Sequence, residues 1–149
     1  MSLITKTNNF MYIQMGATVG SATLVDFNTD TLKFKLLTSA TAPTASWITR
    51  ADDTGTEVTG TNYSAGGPTL TTCTLTLAAG VVKFTADNIT WGQSGTGFSN
   101  ARYGYIYKST GTANQDTIIG FYDFVTNQGN TVVPFSMIFD ATNGIISWT

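Results

Sequence analysis

Three carboxylate residues stand close together in the sequence and could perform acid–base chemistry. Asp52, Asp53 and Glu57 lie within one short segment. A glycoside hydrolase needs two carboxyl groups that face each other across a cleft, one of them acting as the acid. Spacing along the chain does not show such convergence, and the abundance of Asp, Thr and Gly around these residues favours a solvated loop.

Asp26, Asn28 and Asp30 place three oxygen side chains at alternate positions, as at the start of a calcium-binding loop. The pattern then fails, because Thr31 stands where the loop needs Gly and Leu37 where it needs a bidentate Glu. The sequence therefore favours a polar turn that caps the following strand. We predict no metal site and no cofactor.

Two features partly match nucleophile and phosphate-binding motifs. Residues 92–99 (GQSGTGFS) have the glycine spacing of a phosphate-binding loop, but Phe98 replaces the required Lys and no helix is predicted to follow. The chain has no His, so Cys73 has no imidazole to activate it and a Ser-His-Asp triad is excluded. We predict a loop between strands at 92–99, a core position for Cys73, and no enzymatic activity.

Aromatic residues offer a different kind of site. Tyr103, Tyr105 and Tyr107 share one face of a predicted strand, which would suit a sugar-stacking platform or a protein interface. The sequence favours the alternative of an aromatic core wall whose hydroxyls are hydrogen-bonded. The three tryptophans, which could form a carbohydrate-binding surface, are likewise expected in a core or an interface: Trp47, Trp91 and Trp148.

Charge and composition exclude several classes of partner. The chain has 149 residues, 7 Lys+Arg against 9 Asp+Glu, only 11% charged residues and a pI of about 4.7. So few cations argue against nucleic-acid binding. No membrane-spanning segment is predicted, and the N-terminal sequence predicts synthesis in the cytoplasm without export.

Short alternating segments after residue 30 predict an all-β fold. The length favours one domain, which we expect to be a single antiparallel β-sandwich, jelly-roll or immunoglobulin-like, over residues 31–149. Pro134 indicates an edge strand or a late strand start, and Asn143-Gly144 a tight turn. The predicted strands cover residues 31–38, 70–77, 81–85, 88–91, 101–108, 117–125, 132–139 and 145–148.

Residues 1–30 follow a different pattern. Their apolar run contains Phe10, Met11, Tyr12 and Ile13, and small, turn-forming residues come next. This segment is predicted either to be an arm that packs on a partner or to be the first strand of the same sandwich.

A series of short signatures resembles those of small virion structural proteins of tailed bacteriophages. The signatures extend over about residues 29–146, and the segment before residue 29 departs from the form typical of the group. They read TDTLK (29–33), ASW (45–47), EVTGTNYSAGGPTL (57–70), FTADNITW (84–91), ARY (101–103) and NGI (143–145).

The resemblance implies a capsid decoration (cement) protein on the virion surface. Its expected partners are the major capsid protein and further copies of this chain, with a trimer favoured. Low charge with abundant Thr, Asn and aromatic residues suits a surface that is largely interface. We expect an arm over residues 2–14 to reach the shell or a neighbouring subunit, with partner contacts through Phe10, Met11, Tyr12, Ile13 and Trp148. The alternatives are a tail, baseplate or head–tail connector component, including a glycan- or receptor-binding adhesin.

Overall fold

A computed structural model of the chain describes Thr5–Lys6, Phe10, Gln14 and residues 20–148. Within these residues the regular structure is almost entirely β-strand, and every strand pairing is antiparallel. The predicted all-β class is confirmed. The strands are β1 (Thr5–Lys6), β2 (Leu32–Leu37), β3 (Thr74–Ala78), β4 (Val81–Thr85), β5 (Ile89–Trp91), β6 (Ala101–Lys108), β7 (Ile118–Gln128), β8 (Phe135–Met137) and β9 (Ile146–Trp148), with a short 3-10 turn at Arg50–Asp52.

These strands form three sheets. The largest has the order β1-β7-β6-β2, the second β3-β4-β9, and the third pairs β5 with β8. β7 lies between two neighbours, as expected for a strand whose first residues are apolar on both faces. The N-terminal segment contributes β1, in which Thr5 pairs with Phe121 and Lys6 with Gly120.

The main hydrophobic core collects inward-facing residues from all three sheets. β2 alternates as predicted, with Leu32, Phe34 and Leu36 buried. Trp91 of β5 stacks on Phe135 of β8, with ring centroids 5.3 Å apart and planes 10° from parallel. The three sheets are therefore held together by one aromatic-rich core.

The other face of the largest sheet carries a second, smaller cluster: Leu37, Trp47, Tyr105, Tyr107 and Ile118. Trp47 comes from the long loop between β2 and β3, and its ring meets that of Tyr105 edge-on at 6.3 Å. An antiparallel sheet often leaves one face to solvent, whereas here a loop residue covers the tyrosines.

Two strands start three or more residues later than the pattern in the sequence predicts. β3 begins at Thr74 rather than at residue 70, because Thr72 takes a positive φ of 52° that breaks the extended backbone. β8 begins at Phe135, directly after Pro134, as the missing N–H of proline predicts.

Within the described residues, no helix has the length and apolar character needed to cross a membrane.

Candidate interaction surface

The three candidate catalytic carboxylates do not form one site. Asp53 and Glu57 converge on Lys35, whose Nζ lies 2.7 Å from Asp53 Oδ2 and 3.4 Å from Glu57 Oε2. Asp53 Oδ2 also accepts a hydrogen bond from the Tyr105 hydroxyl (2.7 Å). Asp52 instead accepts bonds from backbone amides, including that of Thr49 (2.8 Å), at the start of the 3-10 turn. The Asp53–Glu57 pair thus fastens a loop to the sheet through Lys35.

All the acidic side chains of the sequence are held by contacts within the chain. The side chain of each of the nine acidic residues accepts a hydrogen bond from its own chain. These residues are Asp26, Asp30, Asp52, Asp53, Glu57, Asp87, Asp116, Asp123 and Asp140. The acidic side chains therefore have structural roles in the folded chain.

The calcium-like segment forms a polar turn, as the sequence favoured. Asp30 Oδ2 accepts the amide of Asp26 (2.7 Å), and Asp26 Oδ1 accepts the amide of Asn28 (2.9 Å). Lys108 Nζ lies 2.9 Å from Asp30 Oδ2, which places a cation where a metal would have to bind. Across the described part of the chain, His, Cys, Asp and Glu side chains do not gather in threes that could hold a metal ion.

The tyrosine strand is a core wall rather than an open platform. Tyr105 and Tyr107 are buried, and their hydroxyls donate to Asp53 Oδ2 and to the Gly66 carbonyl (2.9 Å). Burial raises the pKa of both phenols and also that of Tyr63, whose hydroxyl donates to Glu57. Tyr103 is half-buried, with the Arg102 guanidinium 5.4 Å above its ring.

Cys73 and two of the tryptophans pack inside the chain. Cys73 is half-buried against the main core, and burial raises the pKa of its thiol, opposite to what a nucleophile needs. Trp47 and Trp91 are buried in the two separate hydrophobic clusters. They therefore form no shared surface for a carbohydrate.

The residues predicted to bind a partner have different locations. Phe10 is fully buried in its own chain and meets Phe27 edge-on at 5.8 Å. Met11, Tyr12 and Ile13 lie outside the described residues. Trp148 lies in β9, where its backbone pairs with that of Val82 in β4.

A different apolar surface is formed by the hairpin of β3 and β4. The register places Leu75 opposite Phe84 and Leu77 opposite Val82, so these four side chains share one face. Phe84 is fully buried, whereas Leu75 is 37% and Leu77 71% exposed. The hairpin therefore extends beyond the core, and its inner face is uncovered toward the tip.

This overhang forms one wall of a cavity of about 700 Å³. Residues 24–27 also line this cavity. Asn28, which follows them, is bonded to the hairpin, because its Oδ1 accepts the amide of Leu75 (3.1 Å). The lining is mainly apolar, with charged groups among it: Gln14, Leu24, Val25, Asp26, Phe27, Asp30, Leu75, Val82 and Lys108. We call the cavity and the exposed hairpin face the hairpin groove. It is concave and mainly apolar, which are properties of a site that receives a protruding apolar element.

Comparisons with protein-family models, with curated proteins and with solved structures found no match to this chain.

Proposed function

We propose that this chain is a bacteriophage virion structural protein that binds the outer capsid shell as a decoration protein, through the hairpin groove. The observation that carries the proposal is the uncovered apolar face of β3 and β4, where Leu77 is 71% exposed beside the cavity of about 700 Å³. Apolar surface of this kind is costly in water and is stabilised when a partner covers it. The resemblance of the short signatures to those of virion proteins of tailed bacteriophages supports the same proposal.

The charged groups also favour a structural role over catalysis. Asp53 and Glu57, the carboxylates that come together, are bound to Lys35 and to tyrosine hydroxyls. An acid–base pair needs carboxyl groups that can reach a substrate. These carboxylates instead hold the loop over the second hydrophobic cluster.

The geometry favours shell binding over the adhesin alternative. A sugar-binding surface needs exposed aromatic rings beside a groove, but Tyr105, Tyr107, Trp47 and Trp91 are buried. The apolar part of the hairpin groove is lined by aliphatic side chains and by the buried ring of Phe27. Such a lining suits an apolar protein segment rather than a sugar.

Binding to shells tests this proposal. Capsid shells that lack this chain are incubated with the purified chain, and the bound fraction is measured by co-sedimentation across a concentration series. Leu77→Asp should weaken binding at least about tenfold, because a carboxylate must then be desolvated in an apolar contact. Thr76→Asp is the matched control, since Thr76 is exposed on the same strand and faces the opposite side.

The expected result is saturable binding by the wild-type chain and by Thr76→Asp, with weakened binding by Leu77→Asp. Circular dichroism confirms that each variant is folded. Absence of wild-type binding would overturn the shell-binding role. Equal binding by both variants would overturn the assignment of the hairpin groove as the binding surface.

A further inference from the structure

A lysine amine and two carboxyl groups meet beside the second hydrophobic cluster, largely shielded from water. Lys35 Nζ lies 2.7 Å from Asp53 Oδ2 and 3.4 Å from Glu57 Oε2. The three side chains are 12%, 2% and 25% exposed, in that order. Lys35 is opposite Tyr105 in the strand register, and its Nζ is 5.8 Å from the centre of that ring. A nucleophile, a carbonyl carbon and a base are thus held together, which are the groups that an amide bond requires.

The Asp53 carboxyl group is held as the acceptor of an attack by the Lys35 amine. Asp53 Oδ1 accepts the backbone amide of Gly55 (2.8 Å), and Oδ2 accepts the Tyr105 hydroxyl (2.7 Å). Attack at Cγ moves negative charge onto a carboxyl oxygen, and a fixed amide donor stabilises that charge. The Gly55 amide therefore supports charge on Oδ1. The phenol holds Oδ2, and burial raises its pKa, so it remains a donor at neutral pH.

Glu57 is placed to take a proton from the same amine. Its Oε1 accepts the hydroxyl of Tyr63 (2.8 Å) and the amide of Gly66 (2.5 Å). Its Oε2 is the oxygen that faces Lys35 Nζ. One oxygen is thus fixed by the fold and the other is directed at the nitrogen, which is the arrangement of a positioned base.

We propose that Lys35 and Asp53 become joined by an intramolecular amide bond between Nζ and Cγ, with Glu57 as the base and water as the second product. One proton passes from Nζ to Asp53 Oδ2, which gives a neutral amine and a neutral acid. The amine lone pair then forms the bond to Cγ, and the π electron pair of the carboxyl group moves onto Oδ1.

Glu57 completes the reaction by moving the second proton from Nζ to Asp53 Oδ2. Oδ2 then leaves as water with the electron pair of its bond to Cγ, and the electron pair on Oδ1 re-forms the double bond. The ammonium has lost two protons and the leaving oxygen has gained both. Glu57 ends as the carboxylate that it was at the start, so atoms and charge balance.

The fold favours a bond that does not form between these groups in water. In water, hydration stabilises the separate ammonium and carboxylate ions. Lys35 and Asp53 have lost most of this hydration, which destabilises the ionised reactants relative to a neutral amide. Held in contact, the two groups also react as if their concentration were about 10⁵ M or more.

The amide bond ties β2 to the loop that follows it. The enclosed segment contains Trp47, whose ring covers Tyr105. A covalent bond across this segment restricts the unfolded chain and so stabilises the fold, as a disulfide does. The chain has one cysteine and therefore forms no disulfide within itself. An amide crosslink also resists the thiols that reduce disulfides in the cytoplasm.

Mass spectrometry of the intact, denatured chain tests the inference. The wild-type chain should be lighter than the mass calculated from its sequence by one water molecule. Lys35→Arg keeps the positive charge without the amine, and Glu57→Gln keeps the shape without the base, so both should have the full calculated mass. Lys108→Arg is the matched control and should keep the loss of water. Lys108 Nζ pairs with Asp30 (2.9 Å) but forms no ion pair with a second carboxylate among the described residues.

Tryptic digestion with tandem mass spectrometry locates the bond. It should give one crosslinked pair of peptides, residues 34–50 and 51–83, joined at Lys35 and Asp53. A wild-type chain at the full calculated mass would overturn the inference and leave these residues as an ion pair. A loss of water at other residues, or one that persists in Lys35→Arg, would overturn it as well. A folded Glu57→Gln chain that reacts like the wild type would overturn the role of Glu57 as the base.

Discussion

The Tyr105 hydroxyl donates a hydrogen bond to Asp53 Oδ2, the same oxygen that lies 2.7 Å from Lys35 Nζ. This contact joins β6, which carries Tyr105, to the loop between β2 and β3, which carries Asp53. It gives both elements a structural role, because the phenol is buried and the carboxylate has its partners within the chain. Asp53 should therefore matter for stability.

Asp53→Ala should lower the free energy of unfolding by about 3–5 kcal/mol, because it removes one partner of a buried ion pair and leaves Lys35 without its closest carboxylate. The side chains of Lys35 and Asp53 are only 12% and 2% exposed. Urea unfolding measures the change. Asp87→Ala is the control, since Asp87 is exposed and bonds to Thr71 and Thr72. A loss no larger for Asp53→Ala than for this control would contradict the structural role.

The buried tyrosines predict a distinctive alkaline titration. Burial raises the folded-state pKa of Tyr63, Tyr105 and Tyr107 above the ordinary value of 10. Their contribution to stability is thus complete below pH 10 and is lost as pH rises toward the folded-state pKa. Absorbance at 295 nm should show that the ionisation of these three phenols occurs only as the chain unfolds. Reversible ionisation of all six tyrosines near pH 10, with the fold intact, would refute the buried network.

Val125→Gly should stabilise the isolated chain. Glycine adopts the observed φ of 68° without steric cost, and relief of the left-handed strain is worth about 1–2 kcal/mol. Little apolar burial is lost, because Val125 is 71% exposed. Thermal unfolding at low concentration is the measurement. Val132→Gly provides the comparison, since Val132 is also exposed and is not among the positive-φ residues. Equal effects of the two changes would indicate that Val125 is not strained.

Phe10→Ala should cost about 3–5 kcal/mol of stability, as for other fully buried Phe residues. Phe10 is 0% exposed and contacts Phe27, so it acts as a core residue of its own chain. Chemical denaturation compares it with Leu24→Ala, whose side chain is 56% exposed. An unchanged stability for Phe10→Ala would instead support a free arm that packs on a partner.

Local patterns in the sequence were enough to predict most strands. β6 occupies Ala101–Lys108 as predicted, because its tyrosines alternate with residues of the opposite face. β2 follows its alternation of Leu and Phe with Lys. In both strands the alternation of neighbouring residues determines which side chains share a face. In β6 the middle residues of both faces are buried.

The candidate sites depended on contacts between distant residues, which spacing does not reveal. Leu75 and Leu77 have the alternation of a buried strand, but they are exposed because the hairpin extends past the core. Asp53 and Glu57 stand out in the sequence, but Lys35, whose amine meets Asp53 from 18 positions away, belongs to no recognisable motif.

Cryo-electron microscopy of the intact virion shows directly whether this chain covers the capsid shell. We expect hundreds of copies on the outer shell, with the β3–β4 hairpin of each directed at the capsid protein. A chain found in a few copies at the tail, or absent from the particle, would contradict this expectation.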